Sequence, residues 1–600
     1  SSLPTACVRF LFLSLKFTQK SRRFNEQRPF TMLQGEFGEI LEMFRNSFPL
    51  SFLFFIPIFI IISPVSPVNA AHEFAIYRMQ QFDLQGSQFG CKSSLINMEA
   101  RPIDAKMLTR RCIVAKLTDI TISKYRDLIS QNAGGLLILL PQNLSTLTEE
   151  SKQHLHSLER DLLLEENGVM PVYFAWETPE LRAVYDDINS ATAGDQAATA
   201  VEALFNSASA NGFQMVISGS QAKALSEFQI TNIQGHLSGF GIEEQLPTII
   251  VVAHYDAFGI APGLSTGADS NGSGVIALLE LARLLSKLYT NSRTHAKYNI
   301  LFLLTGGGKF NYQGAKKWIE DNLDSAETNV LSDVAFVMCL DSLASEDSIY
   351  FHVSKPPKED TPAATFFTHL EEVTKTFFPH VVVKMVHKKI NLAEDMLAWE
   401  HERFSMKRLP AFTLSHFEAY KSLDRTSVID TRDRVAEEKI VRNVNIIAEA
   451  LARQIYNLTS QGSIHLFTEA LEVQKDLLSA WLDHVTSQSR AAQLLQKDSS
   501  LLVTLEETMS RYLKDVKRTY LKADKRDPEF VFYDGAVYKM NAFNVKPAVF
   551  DLFLAGAIVV YLSLVYLLVQ NFHLILGLLS RFVQSGTTAK MNGAAKLKAN

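Results

Sequence analysis

Cysteine is scarce in this chain: Cys7, Cys91, Cys112 and Cys339 are four residues in 600. That excludes a scaffold held together by disulfides. Cys339 lies inside an apolar run and reads as a small core residue. Cys91 and Cys112 could pair in an oxidising compartment, which spacing alone leaves open. Neither sign of charge dominates, with 59 Lys and Arg against 64 Asp and Glu. No stretch interleaves basic with aromatic side chains, which excludes nucleic-acid binding as the organising function. The length exceeds one ordinary domain, so two or more folded units with appendages are expected.

What is present is concentrated in residues 248–285, TIIVVAHYDAFGIAPGLSTGADSNGSGVIALLELARLL. A β-branched run reads as a buried strand that ends at His254-Tyr255-Asp256. A Gly- and Pro-bearing loop leads to Gly267-Ala268-Asp269-Ser270-Asn271-Gly272-Ser273-Gly274. The spacing of Leu278, Leu281, Ala282 and Leu285 then predicts a helix. Strand, loop and helix place His254, Asp256 and Asp269 at the carboxyl end of a strand, where open α/β sheets build their sites.

These motifs resemble the dizinc aminopeptidases, which carry His-x-Asp and then Gly-Ala-Asp-Asp-Asn-Gly-Ser-Gly. Ser270 stands here where that family has its second Asp. The resemblance implies that His254 occupies a zinc-ligand position and Asp269 the bridging one, with Asp256 orienting the His254 imidazole. Imidazole nitrogen and carboxylate oxygen suit zinc, and a carboxylate behind the ring fixes its tautomer. The rest of the site is a series of absences. Active members follow the next strand, here 299–304, with a Glu-Glu pair that supplies the general base and a ligand. This chain has Gly307 and Gly308 there. Asp341 survives after the strand at 334–340. The last ligand, a His expected near Thr426, is missing from Arg425-Thr426-Ser427-Val428-Ile429-Asp430. Loss of a general base alone costs about 10²–10⁴ in rate, and loss of ligands removes the metal that activates water. The expectation is an aminopeptidase fold without catalytic residues, without metal and without cofactor. His254, Asp256, Asp269 and Asp341 would be vestigial metal-site positions.

Along the chain, residues 1–31 read as an upstream extension, with Met32 the expected initiator. Residues 32–70 read as a signal peptide with its apolar core at 50–62 and cleavage near Ala70; a retained anchor is the rival reading. An N-terminal α/β accessory unit is expected over 71–212, with helices near 123–131, 148–163 and 195–208. An aminopeptidase-like domain follows over 213–458, its first strand at 213–217, as a mixed sheet covered by helices. Residues 459–546 read as mainly helical, with a charged connector at 522–528 and a strand-like run at 530–533. The segment 550–579 is long and apolar enough for one transmembrane helix. Arg581, Lys590, Lys596 and Lys598 make the tail 580–600 cytosolic by the positive-inside rule, leaving the bulk lumenal. Its last five residues resemble a dilysine retrieval address. Asn457, Asn271 and Asn143 head glycosylation sequons.

Longer stretches add a second resemblance: AHEFAIYRMQQFDLQG from Ala71, GGGKFNYQGAKKW from Gly306, VSKPPKED from Val353, INLAEDMLAWEHERF from Ile390 and KADKRDPEFVFYD from Lys522. Together they resemble the nicalins, relatives of nicastrin in the aminopeptidase superfamily. That resemblance implies a single-pass endoplasmic-reticulum membrane protein with no peptidase activity. It also implies partners: the Nodal modulator protein, a small multipass protein of the transmembrane protein 147 family, and the Sec translocon during multipass membrane-protein biogenesis, with a link to Nodal signalling. The expected function is that of a catalytically inactive scaffold subunit of such a membrane complex, and two other readings stand beside it. One is a cryptic hydrolase holding a single metal through His254, Asp269 and Asp341 with His416 as base; the other is a receptor for peptide ends in the old cleft.

Overall fold

A computed structural model describes residues 71–164, 168–193, 212–242, 245–291, 293–324, 330–394, 396–458, 464–524, 526, 528–545, 548–574 and 577. The upstream extension, the signal peptide, Cys7, the helix expected over 195–208 and the basic tail therefore lie outside the described residues. Residues 70–547 form one unit, and the C-terminal helix belongs to another.

The first sheet is a closed barrel. Its early strands are β1 (Ala71–Arg78), β4 (Asn97–Pro102), β5 (Cys112–Lys116), β6 (Gly135–Leu140), β7 (Val172–Trp176) and β8 (Gly212–Ser218); between them β2 (Gln81–Leu84) and β3 (Ser87–Gly90) form a hairpin. Helices α1 (Ile122–Ser130), α2 (Glu149–Leu164) and α3 (Pro179–Ala193) alternate with them. The run GLLILL of β6 is wholly buried, as a strand covered on both faces must be. The strand expected to open the peptidase sheet, 213–217, is β8 and sits in this barrel, pairing with β4 and with a strand from the far end of the unit. Its alternating Phe213, Met215 and Ile217 point into the barrel core. Periodicity reported the strand correctly but could not say which sheet it joins.

The second sheet holds β9 (Gln229–Leu237), β10 (Thr248–His254), β11 (Asn299–Thr305), β12 (Val334–Leu340), β13 (Ser348–Val353), β14 (Val382–His387) and β15 (Ala411–Ser415). The order is β14-β13-β15-β12-β10-β11-β9, with one further strand beyond β9. β10 runs parallel to β11 and β12, and β12 parallel to β15, while β9 runs antiparallel to β11 and β13 antiparallel to β15, so the sheet is mixed. Successive β10 side chains point to opposite faces. Ile249, Val251 and Ala253 pack with α4 (Gly274–Thr290) on one side. Ile250 and Val252 pack on the other with Trp318 of α5 (Gln313–Asp324). The remaining helices here are α6 (Pro362–Phe377), α7 (His401–Met406) and α8 (Glu437–Tyr456).

The C-terminal region departs from the helical expectation. After α9 (Lys475–Thr486) and α10 (Ser500–Tyr512) come β16 (Lys514–Lys522), β17 (Phe530–Phe532) and β18 (Val537–Val545). β16 adds to the edge of the second sheet beside β9, β17 extends the β2–β3 hairpin, and β18 closes the barrel between β1 and β8. Edge strands carry exposed lysines as a guard against further pairing, and that polarity hid β16 in the sequence. Residues 514–545 thus contribute one strand to each of the three sheets.

Cys91 and Cys112 are free, buried thiols in different core clusters. Asn143 and Asn457 are exposed, the latter as the left-handed residue that ends α8. Asn271 corrects its sequon: it is fully buried, and its amide donates to the His254 and Leu340 carbonyls. An acceptor amide engaged inside the fold is closed to glycosylation.

The other unit contains α11 (Ala548–Gln570), 23 residues with Asp551 in its first turn. Most of its described apolar side chains, among them Leu552, Val559, Val560, Leu564 and Tyr566, are exposed, while Tyr561 and Val565 are partly buried. Side chains at 548–550 and 553 lie outside the described residues. Taken alone, the described part is not long and apolar enough to cross a membrane.

Candidate functional site

The site stands where four parallel strands end: β10 at His254, β11 before Gly306, β12 before Asp341 and β15 before His416. The loop 267–273 and the segment 423–430 are hydrogen-bonded to each other beside these strand ends. His254, Asp256, Asp269 and Asp341 are all buried. The structure brings these predicted positions together, and then gives each a different partner.

Asp256 does not reach the His254 ring. Its two oxygens accept from the Gly308 and Lys309 amides (2.8 and 3.2 Å). Glu400, next to α7, takes the orienting place instead. One of its oxygens lies 3.4 Å from His254 Nδ1, and the other accepts from the Thr305 hydroxyl (2.6 Å). His254 Nε2 is buried with no partner among the described residues. The role that the resemblance implied for Asp256 is thus corrected: a carboxylate from a distant segment has it.

Asp269 is saturated. Oδ1 accepts from the Ser273 hydroxyl (2.7 Å) and the Ala344 amide (3.0 Å), and Oδ2 from the Ser345 hydroxyl and from His416 Nε2 (2.7 Å). Burial alone would push the Asp269 carboxyl up, but the His416 charge and these donors outweigh it and hold it low. Burial pulls His416 down, and Asp269 overrides that and raises it. His416 thus stands on the carboxylate that the resemblance makes a metal ligand, and its Nδ1 is buried with no partner among the described residues.

Asp341 is neutralised from the window that lacks the ligand histidine. Arg425, next to Thr426, places its guanidinium on Asp341 Oδ2, while the Ser342 hydroxyl holds Oδ1 (2.8 Å). Arg425 also lies over the Trp399 ring at 4.1 Å and donates to the Tyr420 carbonyl (3.0 Å). Burial would raise Asp341, and the Arg425 and Lys309 charges hold it far below the carboxylate range. Lys309 follows the two glycines directly. Its Nζ donates to the Ser270 hydroxyl (2.6 Å) and the Arg425 carbonyl (3.2 Å), and burial lowers it to about 8. Asp430 accepts from the Asp269 and Ser270 amides (2.8 and 2.7 Å); burial, and then the Asp269 charge, push it up to about 6.

The glycines are fitted to this arrangement. A Cβ on Gly308 would overlap the His254 ring. Gly307 has φ +66°, and a Cβ there would come within 2.8 Å of Ile230. Glutamates at these positions need a different loop, because left-handed backbone and close approach are both glycine conditions.

The zinc test therefore fails on the donors present. Asp269 accepts from four donors and Asp341 is ion-paired with Arg425, and Lys309, Arg425 and His416 crowd ground that a dinuclear centre needs. No described cluster of three or more His, Cys, Asp or Glu side chains is arranged to hold a metal. The space left between Asp269, Ser345, His416 and Asp430 is about 80 Å³. Ligand pockets start near about 300 Å³, so a peptide end does not fit there either. Glu400, Lys309, Arg425 and Asp430 escaped the sequence reading as partners. The one available signal was an arginine beside the position of a missing metal ligand.

Comparison with known proteins follows from this geometry. The model for Peptidase family M28 matches residues 232–446, the segment that builds most of the second sheet. The chain is 51% identical over 566 residues to "BOS complex subunit ncln" of Danio rerio, covering 91% of this chain and 98% of that one. It is 30% identical over 554 residues to "Nicalin" of Caenorhabditis elegans, covering 88% and 96%. Among solved structures, the gamma-secretase component nicastrin superposes with a TM-score of 0.54 at 11% identity, covering 78% of this chain and 99% of that one. At that identity the likeness is one of fold.

Proposed function

The chain belongs to the nicalin family, and on that premise we propose that it is a non-catalytic scaffold subunit of an endoplasmic-reticulum membrane complex. One observation carries the reading: Arg425, Lys309 and His416 stand where a dizinc peptidase needs its metals, each engaged with a residue of the old site. A fold can outlast its chemistry, and here the sheet and its helices are retained while the hollow is filled. The name of the Danio rerio relative, a subunit of the BOS complex, supports membership in a complex of that kind. The partners proposed are the Nodal modulator protein, the small multipass protein of the transmembrane protein 147 family and Sec translocon machinery. The activity proposed is support of multipass membrane-protein biogenesis, with restraint of Nodal signalling.

In this proposal α11 and the residues after it span the membrane once. The exposed apolar side chains around α11 support that, because a helix apolar on every face needs lipid or a protein neighbour. The lysines and Arg581 beyond it set the tail in the cytosol, leaving Asn143 and Asn457 lumenal as glycan acceptors.

Purification of the full chain in mild detergent, with mass spectrometry of what travels with it, tests the scaffold. Integral membrane proteins at fixed stoichiometry are expected, together with no hydrolysis of leucine p-nitroanilide with or without added zinc. A chain that purifies alone and shows a His254-dependent aminopeptidase activity contradicts it.

A further inference from the structure

The opposite end of the second sheet is open. At the amino ends of β10, β12 and β15 lies a cleft of about 930 Å³, near the top of the size range of built ligand sites. Its floor is apolar: Tyr298, Val334, Ile390 and Leu409 are partly exposed, and Phe351 and Phe412 are buried. Its rim carries Lys355, Lys358, Lys389 and Arg408, all exposed, against the single acid Asp333. None of the four cations has an acidic partner among the described residues. Lys388, one residue from Lys389, shows the contrast, since it is paired with Glu402 at 3.4 Å. The walls include Pro247, Pro356, Pro357, Pro362 and Pro410. Fixed φ angles at these positions keep the cleft formed before anything enters it. The Ser354 hydroxyl lines the cleft and is buried with no hydrogen-bond partner among the described residues.

We propose that this cleft docks an extended acidic peptide segment of a partner protein, with its carboxylates on the lysine rim and its apolar side chains on the floor at Tyr298, Val334, Ile390 and Leu409. The inference stands apart from the reading of the filled site. A small anion would leave the apolar floor unused. A lipid surface needs a projecting face, and this one is concave. An extended peptide uses every feature: alternate side chains serve floor and rim, and a backbone amide can supply the partner that Ser354 lacks. Charge complementarity sets the sign of the partner. The stretch VSKPPKED, which the sequence comparison singled out without a role, supplies much of this rim.

The test uses the full chain in detergent and fluorescence anisotropy. The probe is a labelled peptide of about ten residues in which Glu and Asp alternate with Phe and Leu, long enough to lie along the cleft in extended form. Micromolar binding is expected, weakened about tenfold or more by Lys355→Glu/Lys358→Glu/Lys389→Glu and by raising salt to about 0.5 M. The same peptide with Lys for each acid, or with Ser for each apolar residue, should not bind. A photoreactive phenylalanine in the probe should crosslink to residues 351–363 or 405–412. The three substituted lysines are exposed, so an unchanged melting temperature separates loss of binding from loss of fold. The proposal is overturned by no binding, by binding indifferent to the charge reversal, by equal binding of the Ser-substituted peptide, or by crosslinks elsewhere. It is also overturned if the lysines prove necessary for binding phosphatidylserine vesicles and not for binding the peptide.

Discussion

At the carboxyl ends of β10, β12 and β15, Asp256, Asp269, Asp341 and Asp430 all have their donors, and about 80 Å³ of space remains. At the amino ends of the same strands, four cations with no acidic partner among the described residues surround about 930 Å³. The first end has the charge of a catalytic centre and none of its openness. The second has the openness and no catalytic group. Charge buried in a fold must be matched from within, so an aminopeptidase sheet that loses its metals needs cations of its own. Charge on an exposed rim needs no such match and stays available to a partner.

The comparison is broken most forcefully at Arg425. Replacing it with Met leaves Asp341 charged and unpaired inside the protein, and a loss of about 3–5 kcal/mol of stability is expected by chemical denaturation. The double variant Arg425→Met/Asp341→Asn should recover most of it. If the single variant is as stable as the parent, the pairing is ornamental and the filled-site account fails.

Next comes Gly308→Glu, alone or with Gly307→Glu, which returns the family's carboxylates on paper. Because a Cβ at 308 overlaps the His254 ring, a loss of about 1–3 kcal/mol from overpacking is expected. Elemental analysis should find no gain of zinc. Stoichiometric zinc in the double variant would mean that the hollow is merely unfilled.

The His416–Asp269 pair gives a pH-dependent effect. His416 is raised, so its contribution is fully present below about pH 6.5 and is lost as pH rises through its folded value. Asp269 is lowered, so its share is present above about pH 3.9 and is lost only in acid. Parent and His416→Gln should therefore differ by about 2 kcal/mol between roughly pH 5 and 6, with the gap narrowing toward pH 9. A gap that widens with pH contradicts the pairing.

The smallest effect is expected at the other end. Lys355→Glu and Lys389→Glu should change stability by no more than about 0.5 kcal/mol, read as melting temperature. A larger loss would show that the rim cations serve the fold as Arg425 does.

How much of this was legible in the sequence follows the same division. The β-branched run 248–253 and the helical spacing after Val275 were visible, because burial on both faces of a parallel strand leaves a continuous apolar stretch. So was the gathering of His254, Asp256, Asp269 and Asp341 at strand ends, and the two glycines in the gap. The pairings were not. His416 lies 147 residues from Asp269, Glu400 lies 146 from His254, and Arg425 lies 84 from Asp341. Local periodicity carries no term for such contacts. The same reason hid β16 and β18, whose polar alternation resembles a solvated segment until the sheet edge and the barrel gap beside them are known. The sequon at Asn271 was legible as a motif and illegible as a buried amide.

The most direct test of the central claim is elemental analysis of the purified full chain after incubation with excess zinc and removal of the unbound metal. The filled-site account predicts no stoichiometric zinc, in the parent and in His254→Ala alike. One or two zinc ions per chain, lost in His254→Ala, would contradict it.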